Sequence, residues 1–117
     1  MPKHALVVKS DLTTEVIDIA ENELRMLQTA VEGLIQPVDL APLITMWVNE
    51  EGLFQAGLEF NPLASAFMEE IGSDTPILGN AVFTGGTDED GNTLGMAEDA
   101  LAELLAIAEN ARQLVFG

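Results

Sequence analysis

MWVNEEGLFQAGLEFNPLASAF, residues 46–67, sets a polar knot, Asn49-Glu50-Glu51-Gly52, between two apolar stretches. Its composition suits three chemistries: a catalytic carboxylate pair, a metal ligand set, or the corner of a hairpin. Adjacent residues on a strand point to opposite faces, so Glu50 and Glu51 are badly placed as an acid–base pair. A metal would need further ligands, and no recognisable spacing elsewhere supplies them. A turn needs only a strand before it and a residue that accepts positive φ; Leu43–Glu50 and Gly52 provide both. The spacing therefore predicts an exposed turn at Asn49–Gly52, with Leu53-Phe54 as the return strand.

Working outward, His4–Ser10 and Val16–Ile19 read as strands, with Asp11–Thr14 turning between them. Glu21–Gly33 shifts to helical spacing at Leu24, Leu27, Gln28 and Val31. Glu21 and Glu23 suit its first turn, and Gly33 is a natural C-cap. Leu34–Leu40 is a strand that Pro37 confines to an edge or a bulge. Asn61-Pro62 starts a helix, since Asn caps and proline at the first helical position forfeits only an orphan N–H. Leu63, Phe67 and Ile71 share one face of that helix, and Gly72 ends it. Ile77–Gly86 contains a short strand bounded by glycines, and Thr87–Asn92 is a loop. After Met96 comes the clearest helix, with Ala97, Leu101, Leu104, Leu105, Ala108, Leu114 and Val115 on its apolar face. This order predicts a single α+β domain over residues 1–117. Its antiparallel or mixed sheet should have about five strands, with about three helices and a long C-terminal amphipathic helix. Leu101, Leu104, Leu105 and Ala108 should lay that helix on one face of the sheet.

Composition narrows the function classes. The chain has 117 residues, nearly half of them apolar, and no cysteine. It can bury a core without disulfides, and thiolate chemistry is excluded. No apolar run approaches the ~20 residues of a membrane-spanning helix. Met1–Glu15 lacks the apolar h-region and cleavage site of a secretion signal. Twenty acidic residues face four basic ones, for a net charge of −16. The cations are Lys3, Lys9, Arg25 and Arg112, with none between the last two. Such a surface repels nucleic acid and anionic lipid, so neither direct nucleic-acid binding nor membrane binding is expected. It attracts a protein partner with a basic surface. The plainer alternative is that acidity serves solubility alone. The candidate interaction surface comprises Glu69, Glu70 and Asp74, then Asp88, Glu89 and Asp90, then Glu98, Asp99 and Glu103. Leu114, Val115 and Phe116 leave apolar surface for a homodimer through the final helix.

The remaining constellations carry no chemistry. Asp88, Asp90 and Asn92 alternate as in a calcium loop, and Asp99 falls twelfth. Thr93, however, stands where that loop needs glycine, and an Asp replaces its bidentate Glu. Gly85-Gly86 lacks the later Gly-Lys-Ser/Thr of a phosphate-cradling loop, and its acidic neighbours repel phosphate. His4 is the only histidine, which leaves no zinc cluster and no Ser–His–acid triad. Trp47 and Arg25 are candidates for a pocket or the core. No catalytic residue, cofactor or metal is expected.

Leu27-Gln28-Thr29-Ala30-Val31, Asn49–Gly52, Asn61-Pro62 and Asn80–Gly86, in that order and spacing, resemble the domain of unknown function 3846. That family comprises small proteins of phages, prophages and conjugative elements. The resemblance runs from about Val7 to Met96. Glu32 stands before Gly33 where the family often has a second glycine, and the helix after Met96 is more elaborate than the family core requires. The resemblance implies a phage or mobile-element origin and a cytoplasmic setting in an infected or element-bearing bacterium; it implies no activity. The expectation is a small acidic accessory protein, not an enzyme, acting by binding a host or phage protein. The alternatives are a protein that sequesters a small molecule or nucleotide, and a DNA mimic that inhibits a DNA-binding defence protein.

Overall fold

The computed structural model describes residues 1–117. The strands are β1 (His4–Val8), β2 (Thr14–Asp18), β3 (Ile35–Ala41), β4 (Ile44–Asn49) and β5 (Ala81–Thr84); the helices are α1 (Glu23–Val31), α2 (Pro62–Glu70) and α3 (Glu98–Phe116). The sheet has the order β2-β1-β5-β4-β3 and is antiparallel throughout. Two hairpins, β1-β2 and β3-β4, are thus joined by the last strand of the chain. β5 has four residues, all buried, as its central place requires.

Alternation along the strands sorts the apolar residues into two layers. Leu6, Val8, Met46, Val48, Ala81 and Phe83 face α2 and α3, where Leu63, Ala64, Leu104 and Ala108 complete the core. Ala5, Val7 and Val82 face α1, where they meet Leu27 and Val31, with Trp47 packed alongside. A sheet covered on both faces explains why Ala5–Val8 of β1 and Ala81–Phe83 of β5 are apolar without alternation. α3 covers one face as expected, with Leu104 and Ala108 buried and Leu101 and Leu105 packed at the margin. In its last turn Leu114, Val115 and Phe116 are exposed, the apolar surface expected there, so Leu114 and Val115 do not join the buried stripe.

Pro37 lies on β3, an edge strand, opposite Trp47. The Glu50 N–H donates to the Leu34 carbonyl at 2.8 Å. By alternation Pro37 then turns its missing N–H to the free edge, where it blunts strand addition.

Two expectations need correction. Leu53-Phe54 is no return strand: residues 50–57 form a run of turns and bends leading towards α2. The knot is not a wholly exposed corner either, for Asn49 and Gly52 are buried while Glu50 and Glu51 face solvent. The Asn49 side chain is spent on this loop. Its Oδ1 accepts from the Glu51 N–H at 2.8 Å, and its Nδ2 donates to Val31 O at 3.1 Å and Gln55 Oε1 at 3.0 Å. A strand that ends by tying its polar side chain to the neighbouring helix and loop has no reason to turn back. The second correction concerns α1, whose C-terminal left-handed residue is Glu32 (φ +62°), not Gly33.

Candidate functional site

α3 turns Ala100, Glu103, Leu104 and Ile107 to one side, the three-and-four spacing of a helix stripe. With Phe67 and Glu70 of α2, Phe83 of β5, and Leu40, Ala41 and Ile44 of the β3-β4 corner, they line a groove of about 220 Å³. Its floor is rigid: the fully buried Phe83 ring meets Phe67 edge to face, with centroids 5.6 Å apart. Ile107 stands 37% exposed at the lip. Every lining residue is apolar except Glu70 and Glu103, one carboxylate from each helix, and no cation reaches the groove. In such surroundings an incoming cation meets attraction from both sides, while an anion meets repulsion.

Of the acidic residues singled out in the sequence, the fold brings Glu70 and Glu103 to this one groove. Glu69, Asp74, Glu98 and Asp99 are exposed near the ends of the same two helices. Asp88, Glu89 and Asp90 lie outside the groove, at the tip of a small hairpin closed by the Thr87–Thr93 bridge. The Asp88 carboxylate serves its own loop, accepting from the Asn92 N–H and the Asp90 N–H, each at 2.9 Å, and from Asn92 Nδ2 at 3.2 Å. These bonds, the Asn92 N–H first among them, hold its pKa below the usual carboxylate value. Asp99 accepts from the neighbouring Ala100 N–H at the start of α3. Nowhere do three histidine, aspartate or glutamate side chains converge so as to hold a metal ion.

Trp47 and Arg25 part company. Trp47 is half-buried on the α1 face, its indole N–H donating to Thr84 Oγ1 at 2.9 Å. Arg25 belongs neither to a pocket wall nor to the core. It sits two residues before the buried Leu27, about 200° around the helix, and is exposed. Lys9 lines an open groove beside α1 with Val7, Ile17, Met26 and Ala30, flanked by Glu15 and Glu32. Lys3 is paired with Glu23 at 3.1 Å and Arg112 with Glu109 at 3.0 Å. The cations therefore do not gather into an anion site.

The opening stretch has its own cleft, of about 320 Å³, walled by Asn49, Glu50, Leu53 and Phe54 on one side and Thr75, Pro76 and Ile77 on the other. Glu50 is its only charged lining residue, and Phe54 is 89% exposed. Sequence reading missed both hollows, since each joins residues distant in the chain. Of the α3 residues in the groove only Leu104 belonged to the apolar face read from periodicity, and Phe67 and Phe83 were assigned only to their own elements.

No helix is long and apolar enough to cross a membrane. No curated protein and no solved structure matches the chain. A family model, Domain of unknown function (DUF3846), matches residues 2–108. The match is longer than the Val7–Met96 stretch read from the motifs and takes in the first half of α3, which is therefore part of the family's common body. Spanning the sheet, α1, α2 and the first half of α3, it shows that the chain belongs to the domain of unknown function 3846 family.

Proposed function

We propose that this protein is a small acidic accessory protein of a phage or mobile element that acts by binding a host or phage protein and performs no catalysis. The observation that carries this reading is the groove between α2 and α3, apolar within and flanked by Glu70 and Glu103 without a compensating cation. A basic protein surface complements it in charge, and the net charge of −16 steers such a partner over long range. An apolar groove between the carboxylates also favours a mixed apolar and ionic contact over DNA mimicry, which needs an extended, regular row of charge.

The test is site-specific photocrosslinking in the bacterial host with the crosslinker at Ile107. The expected product is one protein attached through a Lys- or Arg-containing peptide. It should be lost on Glu70→Lys/Glu103→Lys and absent when the crosslinker is at Thr29 on α1. Capture from Thr29 alone, or capture indifferent to charge reversal, would sink the reading.

A second reading, sequestration of a small molecule, draws on the cleft beside Phe54. At about 320 Å³ it reaches the lower end of the ~300–1,000 Å³ typical of ligand pockets, whereas the groove does not. Glu50 within it favours a neutral or cationic ligand over a nucleotide.

A further inference from the structure

We infer that the α2–α3 groove receives a single large apolar side chain of a partner, one flanked within a turn on either side by Lys or Arg. The inference rests on the protein-binding reading above and specifies its chemistry. Three observations carry it. The hollow, about 220 Å³, is smaller than the ~300–1,000 Å³ that encloses a whole small ligand, and too small to take the three or four anchors of a helix face. One Phe or Leu side chain is the fitting occupant. The aromatic wall is preformed, because the half-buried Phe67 is backed edge to face by the fully buried Phe83. An anchor therefore meets a rigid aromatic surface and need not first order one.

The charge pattern fixes what flanks the anchor. Glu70 and Glu103 stand on separate helices, so a cation on each side of the anchor finds its own carboxylate. Glu69 and Asp74 at the C-terminal end of α2, and Glu98 and Asp99 at the N-terminal end of α3, add to the negative field. No lysine or arginine lies anywhere between Arg25 and Arg112 to compete. The same pattern excludes a second copy of this chain as occupant. Its exposed Leu114, Val115 and Phe116 would bring a body of net charge −16 against an acidic rim, with only Arg112 nearby, itself paired to Glu109. A basic amphipathic segment of another protein has neither handicap.

Synthetic peptides with one central Phe and two Lys or Arg on each side are the probe, titrated against the full chain by fluorescence anisotropy. Replacing the central Phe with Ala should weaken binding roughly ten- to a hundredfold, the factor expected for burying one large apolar side chain. Filling the groove with Ala100→Trp, or charging its lip with Ile107→Glu, should do the same, while Thr29→Trp on α1 should change nothing. Glu70→Gln/Glu103→Gln should weaken binding severalfold and flatten its dependence on salt. If Phe and Ala peptides bind alike and the groove variants are silent, while salt still matters, the anchor is wrong. Surface charge then suffices, and the protein-binding reading stands. If no basic peptide binds at millimolar concentration, the inference falls outright, and the crosslinking from Ile107 decides the broader reading independently.

Discussion

Glu32 holds a position that glycine would fill without strain. Its φ of +62° is left-handed, and the Gly33 N–H reaches back to the Gln28 carbonyl at 3.1 Å, closing α1 with the six-to-one bond of a Schellman end. The sequence had suggested that the following glycine took this conformation. Gly33 is required for a different reason: a Cβ there would lie 2.6 Å from Asn49 Nδ2, the group that ties the end of β4 to α1. The two neighbours should respond oppositely. Glu32→Gly should raise stability by about 0.5–1 kcal/mol, since left-handed backbone costs a β-carbon residue about that much or more. Gly33→Ala should lower it by about 1–3 kcal/mol by displacing Asn49. Urea denaturation of both variants gives the comparison, and a destabilised Glu32→Gly would contradict the account.

At the scale of elements, α2 is tied to the sheet by the side chain that starts it. Asn61 Oδ1 accepts from the Ala64 N–H at 3.0 Å, the cap expected from Asn-Pro. Its Nδ2 also donates to Val8 O at 3.1 Å and Gly79 O at 3.0 Å, joining α2 to the end of β1 and to the approach to β5. Asn61 is completely buried, so no water replaces these partners easily. Removing the amide leaves one donor and two acceptors unpaired within the core. Asn61→Ala should cost about 3–5 kcal/mol, more than the ~1 kcal/mol of an ordinary exposed cap. Asn61→Asp should cost at least as much as Asn61→Ala at neutral pH, because it keeps the cap but sets a buried carboxylate oxygen against the Val8 and Gly79 carbonyls. If chemical denaturation finds Asn61→Ala within 1 kcal/mol of wild type, the bonds to Val8 and Gly79 carry no weight.

For the whole molecule the governing quantity is charge. At −16 the folded chain repels itself at neutral pH, and this lowers stability until protons or salt relieve it. Specific carboxylates oppose that trend in acid. Asp11 is held below its ordinary 3.8 chiefly by the Thr13 hydroxyl, Asp18 chiefly by the Lys3 N–H, and Asp88 chiefly by the Asn92 N–H. A carboxylate with a lowered folded pKa lends stability above its unfolded value and loses it as pH falls through the folded one. Tm should therefore rise from pH 7 to about 4.5, as unpaired carboxylates begin to protonate, and then fall as pH drops below about 4. Added salt to about 0.5 M should raise Tm at pH 7. A Tm that is indifferent to salt at pH 7, by calorimetry, would mean that self-repulsion is negligible.

Much of the fold was legible because it depends on local chemistry. Helical periodicity marked α3, Asn61-Pro62 marked the start of α2, and Pro37 confined β3 to an edge or a bulge, each through backbone rules that act within a few residues. The family was legible from four short motifs in their order. The end of the hairpin at Asn49 was not, because Asn49 bonds across the fold to Val31 of α1 while also holding Gln55 of the following loop, which no local rule foresees. The central place of β5 was equally hidden: four apolar residues read as a strand anywhere, and pairing with β1 and β4 is settled only when both hairpins are present. The groove belongs wholly to tertiary structure. Glu70 and Glu103 belong to separate acidic clumps in the sequence, and it is the packing of α2 and α3 on the sheet that brings them to one apolar hollow. The sequence by itself determined the sign of the charge and the elements that carry it; the arrangement that makes that charge a site was decided by long-range burial.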